Sequence, residues 1–518
     1  MLRTFRNLGR LRTIARSLAE HDALTLIEDH PNGALAARVA RGLWRPRKSV
    51  AGLRPGQRLA LALTSLGPTF IKFGQALSTR ADLLGEQGAA DLSELQDRLP
   101  PFPFKDAKKT IEEDFGVELS SLFDDFEERP VAAASIAQVH FALTTDGEEV
   151  AVKVLRPGVK DAFARDIDVL YWLAELGERL MPKLKRLRPV EVVRTFEETV
   201  RIEMDLRFEA AAAEEMAENF TGDSTFRVPS VHWQHVSEHV LTLERVSGTR
   251  VDDEKAGADM GVDPVHVVKT AAEAFFKMVF HHGFFHADMH PGNLFVTSDG
   301  AIIAMDFGIM GRVDASTQKI LGEMLLGFLT RDYRKVAEVH IRAGFVPRHK
   351  SVDGFAQAAR SIAEPILGKP ISEISIARLL GQLFQITETF EMQTQPQLLL
   401  LQKSMLLAEG VGRTLAPEVN MWELAKPLIE DWMRGRLGPE AAVADAVGNT
   451  MTTLERLPRI IDRIDTVTAD LSERGLKLHP ETARVFRGES EDESRPRRWP
   501  VWLPWALAAA LLAALILG

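Results

Sequence analysis

Asp288, Asn293 and Asp306 constrain this chain more than any other feature. They sit in the runs His286-Ala287-Asp288-Met289-His290-Pro291-Gly292-Asn293 and Met305-Asp306-Phe307-Gly308. Asn293 follows Asp288 by five residues and Asp306 follows Asn293 by thirteen. That is room for a short strand at 294–296, a turn at Ser298-Asp299-Gly300 and a returning strand at 301–305. One carboxylate can then face a nucleophile while an amide and a second carboxylate offer hard oxygens to a divalent cation on nucleotide phosphates, the set that phosphoryl transfer requires. Asp288 alone would read as a turn or cap carboxylate; the ordered set is what points to chemistry.

Upstream, Glu148-Glu149-Val150-Ala151-Val152-Lys153-Val154-Leu155 has strand alternation, with Val150, Val152 and Val154 on one face and Ala151, Lys153 and Leu155 on the other. A lysine in mid-strand is costly unless paired. Protein kinases use such a lysine, in a Val-Ala-x-Lys strand, to hold nucleotide phosphates. Asp146-Gly147 reads as the hairpin turn into this strand. Before it, residues 130–140 occupy the place of a phosphate-covering loop: Val131, Ala132, Ala133, Ala134, Ser135, Ile136, Ala137 and Val139 contain no glycine among them. Alanine methyls keep backbone amides farther from phosphates and narrow the accessible φ/ψ space. Farther upstream, Phe70-Ile71-Lys72-Phe73-Gly74-Gln75 opens an apolar helix in which Lys72, Gln75 and Thr79 share a polar stripe, trailed by Leu95 and Leu99-Pro100-Pro101-Phe102.

Taken in order, these blocks resemble the UbiB family of atypical protein-kinase-like proteins that support ubiquinone biosynthesis. The Lys-x-Gly-Gln element is Lys72 to Gln75, the alanine-rich loop Ala132 to Ser135, the lysine strand Val150 to Lys153, and the Glu-x-Asp element Glu203 to Asp205. The resemblance spans residues 60–315. It implies an α+β, bilobal, protein-kinase-like fold with extra N-terminal helices and a C-terminal transmembrane helix. It also implies an atypical ATPase or phosphotransferase using ATP and Mg²⁺. Asp288, Lys153 and Lys72 are then catalytic, with Asp288 as base or water-orienting carboxylate. Asn293 and Asp306 are metal ligands; Val131 to Ala137, Val139, Lys153, Glu203 and Glu209 bind the nucleotide. Glu209 matches the helix glutamate that pairs with the lysine, and Glu203 is expected to meet Lys72, whose helix would cover the mouth of the site and obstruct protein substrates. If Glu203 and Glu209 lay on one continuous helix they would be about 120° apart, unable to face one lysine together; a surface charge is the other reading of Glu203. His286 is expected to pack behind the catalytic loop.

The alternatives are a kinase acting on a small molecule, lipid or protein, and a non-catalytic nucleotide-binding scaffold for biosynthetic enzymes. The expected partners are ATP, a membrane lipid or isoprenoid quinone precursor, and ubiquinone-biosynthesis enzymes. A net charge of −10 gives no global basic field, which argues against nucleic acid. The absence of cysteine excludes disulfides, thiolate metal sites and a cysteine nucleophile. At 45% hydrophobic content, 518 residues support large buried cores.

Both ends carry arginines. Arg3, Arg6, Arg10, Arg12 and Arg16 precede the first acid, Glu20, while Leu2, Phe5, Leu8, Leu11, Ala15 and Leu18 form an apolar stripe. Such a helix suits an anionic membrane surface; an organellar transit peptide, or a helix packed on the protein's own core, are the other readings. Residues 499–518 are uncharged, entered by Trp499, Trp502 and Trp505 and preceded by Arg495, Arg497 and Arg498. Twenty helical residues at ~1.5 Å each match a hydrocarbon core of ~30 Å, with the arginines on the cytoplasmic side. The expected location is the bacterial inner membrane facing the cytoplasm, with the mitochondrial inner membrane as alternative. The expected organisation is a basic helical region (1–59), the Lys-x-Gly-Gln extension (60–128), a kinase-like N-lobe with a helical insert (129–250), a helical C-lobe (251–485), a linker (486–498) and the anchor (499–518).

Overall fold

The structure, a computed structural model, describes residues 2–24, 40, 42–78, 87–88, 91–92, 95, 99–180, 188–251, 261–369, 382, 385–387, 389–392, 400–401, 404–405, 408, 410, 412 and 415–437. Thr79, the 486–498 linker and the apolar residues 499–518 lie outside the described residues. No described helix is long and apolar enough to cross a membrane. Contacts divide the chain into Met1–Glu430 and Asp431–Gly518; of the second unit only the end of the helix Met421–Leu437 is described.

The helices α1 (Leu2–Glu20), α2 (Pro55–Leu66), α3 (Pro68–Ser78) and α4 (Phe104–Phe115) precede the first sheet. That sheet is antiparallel in the order β1 (Phe123–Phe126), β3 (Ala137–Thr144), β4 (Glu149–Leu155), β6 (Val240–Glu244), with β2 (Ala132–Ala133) paired to β3. The period-2 reading of β4 is what the sheet shows. Val150, Val152 and Val154 are fully buried beneath α4 with Phe102, Ile111 and Phe123, whereas Leu155 joins the core on the opposite face. Each buried valine contributes about 1.5–3 kcal/mol. Gly147 takes φ +83 in the β3–β4 turn, a conformation that costs glycine little.

After β4, helix α5 (Val159–Leu180) buries Phe163, Ile167, Leu170 and Ala174 at helical spacing. It is followed by α6 (Pro189–Glu203) and α7 (Leu206–Asn219). These three helices fall between β4 and β5 in the chain. The strand β5 (Phe226–Arg227) joins β10 (Ile302–Ala304), β9 (Leu294–Val296) and β7 (Thr249–Arg250) in a second sheet. Helix α8 (Pro264–Phe276) runs on through a π-helical turn, Lys277–His282, and β8 (Phe284–His286) pairs with β11 (Met310–Arg312). The helices α9 (Ala315–Leu329), α10 (Tyr333–Arg342) and α11 (Val352–Ala363) follow.

The N-terminal helix is seated on the protein itself. Ile14 joins the main core with Leu11 and Leu18 packed against it. The Ser17 hydroxyl donates to Ala62 O at 3.0 Å. Arg10 grips Asp166 of α5 through Nε and Nη2 at 2.6 and 2.8 Å, donates to Leu66 O, and lies over the Phe70 ring. Among the readings of the basic helix, the one that packs it on its own core holds for these residues, and Arg10 is removed from the set available to an anionic surface. Replacing Arg10 by alanine leaves the largely buried Asp166 carboxylate unpaired. We expect a loss of about 2 kcal/mol in urea-induced unfolding at neutral pH; unchanged stability would mean that α1 is not seated on α5.

Candidate active site

Strand β4 delivers Lys153 to the cleft face because its neighbours on the alternate positions are needed in the core. Its Nζ meets Glu209 Oε1 and Oε2 at 2.8 and 3.0 Å and Asp306 Oδ1 at 3.2 Å. Glu209 lies in the first turn of α7, where the helix dipole favours an acid. Asp306 follows β10 with φ +60, left-handed for a residue that has a Cβ. Burial alone would lower the Lys153 pKa, but Asp306 and Glu209 outweigh it and the ammonium is held above its ordinary range. The Lys153 charge, aided by Lys72, holds Asp306 well below the usual carboxylate range. Burial pushes Glu209 up; Lys153 opposes this and Asp306 adds to it, leaving the carboxyl at about 7.

Lys72, from α3, reaches the same region and pairs with Glu203 at 3.1 Å. Glu203 ends α6 and Glu209 starts α7, so the one continuous helix assumed for these two residues is corrected. The break has a local cause, for Asp205 is the N-cap of α7 and accepts from Arg207 N–H. Each glutamate therefore has its own lysine. Gly74 lets α3 lie close to α2, since a Cβ there would stand 2.5 Å from Leu95 and 2.7 Å from Leu63. Gln75 donates to Leu95 O at 3.4 Å. Lys72, Gly74 and Gln75 thus serve the site, the helix contact and the trailing segment respectively.

The loop from Ala287 to Asn293 is braced by His286, which is fully buried. Its Nδ1 accepts the Asp288 N–H at 3.2 Å and its Nε2 donates to Met305 O at 3.0 Å. Burial keeps the ring neutral by lowering its pKa. Packing behind the loop is the role the structure gives it. Asn293 Nδ2 donates to the Asp288 carbonyl at 3.1 Å, which leaves its amide oxygen for a cation. Gly308 leaves room beside the oxygen that meets Lys153, because a Cβ would lie 3.3 Å from Asp306 Oδ1.

The alanine-rich stretch is a hairpin. Ala132 pairs with Val139 and Ala133 with Gln138, and the Ala134 N–H donates to Ala137 O. Val131 and Ala132 are exposed; Ala133, Ala134 and Val139 are half-buried. Ile136 and Ala137 belong to the main core with Leu155 and Phe163, and Ser135 is fully buried with its hydroxyl unpartnered. Any contact of these three with a ligand runs through the backbone.

Several residues unremarked in the sequence hold this arrangement. Gln138 accepts from Phe102 N–H at 3.0 Å and donates to Phe102 O and to His140 Nε2. Arg156 donates to Pro100 O, Ala134 O and Ser135 O. Arg312 of β11 makes a two-point ion pair with Glu215 of α7, at 2.8 and 2.6 Å, tying the Glu209 helix to the strand just beyond Phe307-Gly308. The period-2 pattern of β3, which places Gln138 and His140 on the face of buried Ala142, was the one available signal.

The raised Glu209 pKa has a stability consequence. A carboxyl whose folded pKa exceeds its unfolded value of 4.5 contributes stability that is complete below pH 4.5 and lost as pH rises through about 7. In the nucleotide-free protein, Glu209→Gln should therefore flatten the pH dependence of unfolding free energy between pH 5 and 7.5. Parallel wild-type and variant profiles would overturn the assignment.

The chain is similar to known proteins over most of its length. Residues 94–340 match the ABC1 atypical kinase-like domain and residues 359–420 the UbiB helical domain. The "Probable protein kinase UbiB" of Pseudomonas entomophila is 43% identical over 497 residues, covering 90% of each chain. Those of Marinobacter nauticus and Azotobacter vinelandii are 41% and 45% identical, covering 86% and 83% of this chain and 82% and 80% of theirs. A solved chain, Rv3197 of Mycobacterium tuberculosis in complex with erythromycin, is 26% identical with a TM-score of 0.49, covering 69% of this chain and 90% of that one. With a lysine strand, a paired helix glutamate and an Asp-Phe-Gly carboxylate meeting in one α+β domain, and with relatives matched over nearly their whole length, the chain belongs to the UbiB family of atypical kinase-like proteins.

Proposed function

We propose that this protein binds Mg-ATP between the first sheet and the 288–306 hairpin and hydrolyses it, in support of ubiquinone biosynthesis at a membrane. The observation that carries the reading is Lys153, held by Glu209 and Asp306 at 2.8 and 3.2 Å where nucleotide phosphates lie in kinase-like domains. The Asn293 amide and the Asp306 carboxylate are hard oxygen donors of the kind Mg²⁺ takes. The ion, when bound, neutralises charge on the phosphate oxygens. Lys153 orients the phosphates and Glu209 orients Lys153. Asp288, fixed by His286 through its backbone, orients the attacking water and accepts its proton; the bond from phosphorus to that oxygen forms as the bond to the bridging oxygen of the leaving ADP breaks. Lys72 enters from α3 on the same side, which favours water or a small acceptor over a protein substrate.

The UbiB name of the relatives supports the biosynthetic role, and the apolar run 499–518 behind Arg495, Arg497 and Arg498 supports an anchor. Asp306→Asn should weaken Mg-ATP binding by about 30-fold, on the order of 2 kcal/mol, while binding of metal-free ATP, relieved of a nearby anion, is not weakened. Equal losses with and without Mg²⁺ in calorimetric titrations would sink the metal assignment. In a strain lacking the gene, the wild-type chain should restore quinone content. Asp288→Asn, although folded, should not; restoration by that variant would favour the scaffold reading. Removing 499–518 should release a folded, nucleotide-binding protein into the soluble fraction, and a truncated chain that still pellets with membranes would refute the anchor.

A further inference from the structure

Arg156 directly follows the lysine strand and has no part in the chemistry above, yet it touches two segments remote from each other. Its Nη2 donates to Pro100 O at 3.0 Å and to Ala134 O at 3.3 Å, its Nε donates to Ser135 O at 3.3 Å, and its backbone N–H donates to Ile136 O at 2.7 Å. The guanidinium also stands 5.1 Å from the centre of the Phe102 ring. It is half-buried, and burial lowers its pKa. A planar fork with fixed donor directions can span carbonyls on two chains at once, and an ammonium on a flexible stem does this poorly.

The two segments it spans have different duties. Ala134, Ser135 and Ile136 form the turn of the alanine hairpin. Pro100 and Phe102 continue the chain that leaves Leu95, the residue against which Gly74 and Gln75 of the Lys72 helix are fitted. Only the short stretch 96–98 separates Leu95 from Leu99. Gln138 makes a separate clip on Phe102 from within β3, so the second segment is held twice, and the Arg156 guanidinium adds its bonds to a hairpin turn already closed by the Ala134 N–H on Ala137 O.

We infer that Arg156 is a positioning residue that locks the turn of the alanine hairpin to the Pro100–Phe102 segment, so that these two segments loosen and tighten as one unit. Its effect on nucleotide rests on the function proposed above; the mechanical coupling does not.

Amide hydrogen exchange on the full-length, nucleotide-free protein tests it. Arg156→Lys keeps the charge and most of the stem but loses the fork. We expect exchange of the Phe102 amide, the hydrogen-bonded N–H of the proline-rich 99–104 stretch, and of the amides in 132–137 to accelerate together, on the order of tenfold, with little change in the β4–β6 ladder. Gln138→Leu, which removes the acceptor of the Phe102 N–H, should speed exchange at Phe102 while leaving 132–137 protected. Acceleration in only one segment of the Arg156→Lys protein, or wild-type protection in both, would overturn the inference. Should that variant fold poorly, the wild-type protein decides: the two segments should share one opening free energy across a denaturant series, and separate values refute the lock. In turnover assays Arg156→Lys should raise the KM for Mg-ATP several-fold with kcat within twofold; a fall in kcat at unchanged KM would contradict a positioning role. If the wild-type protein turned over no ATP, the functional proposal would fail while the exchange measurements still decided the lock.

Discussion

A half-buried ammonium with two carboxylates governs this structure. Taking Lys153 out of water costs several kcal/mol unless its charge is met, and the two anions that meet it come from different parts of the fold. Glu209 is carried by a helix packed on the first sheet, Asp306 by the end of a strand in the second. The site exists only when both have arrived, so its assembly reports the closure of the domain. Asp306 sits in a left-handed conformation that costs on the order of 1–3 kcal/mol, and its attraction to Lys153 offsets this. Glu209 lies at the other extreme, a carboxyl crowded by burial and a second anion and so poised near neutrality.

A second lysine–glutamate pair repeats the device one helix away. Lys72 and Glu203 join the N-terminal extension to the end of α6, and Asp205 caps the next helix two residues later. The Glu-x-Asp spacing therefore has a mechanical reading: one residue closes a helix against the extension and the other opens the helix that serves Lys153. The extension is held from behind by α1, whose Arg10 reaches Asp166.

Much of the site was legible because its residues lie in local patterns. Strand alternation placed Lys153 opposite Val152 and Val154, and the distance between Asn293 and Asp306 left room for one hairpin only. Two features were misread or missed for different physical reasons. Glu203 and Glu209 look like one helical run because Met204 and Leu206 suit a helix; the competing cap at Asp205 won. An amphipathic helix such as α1 looks the same whether its apolar face meets lipid or the protein's own helices, and the ion pair that decides between them joins residues 156 positions apart. Arg156 left no trace, since its acceptors are backbone carbonyls, which every residue has. The described residues stop short of the apolar C-terminus, so that reading stays with the sequence.

The alanine hairpin has a consequence for how tightly and how fast this site can work. A glycine-rich phosphate loop is supple when empty, and ordering it on the ligand costs conformational entropy at about 1–2 kcal/mol for each residue fixed. Here Ala132 and Ala133 are already zipped to Val139 and Gln138. Most of that entropy was surrendered when the chain folded, so a nucleotide bound as proposed above would meet a preorganised surface and keep more of its gross binding energy. The same rigidity denies the loop the freedom to follow a phosphoryl group as it departs, trading pace for grip.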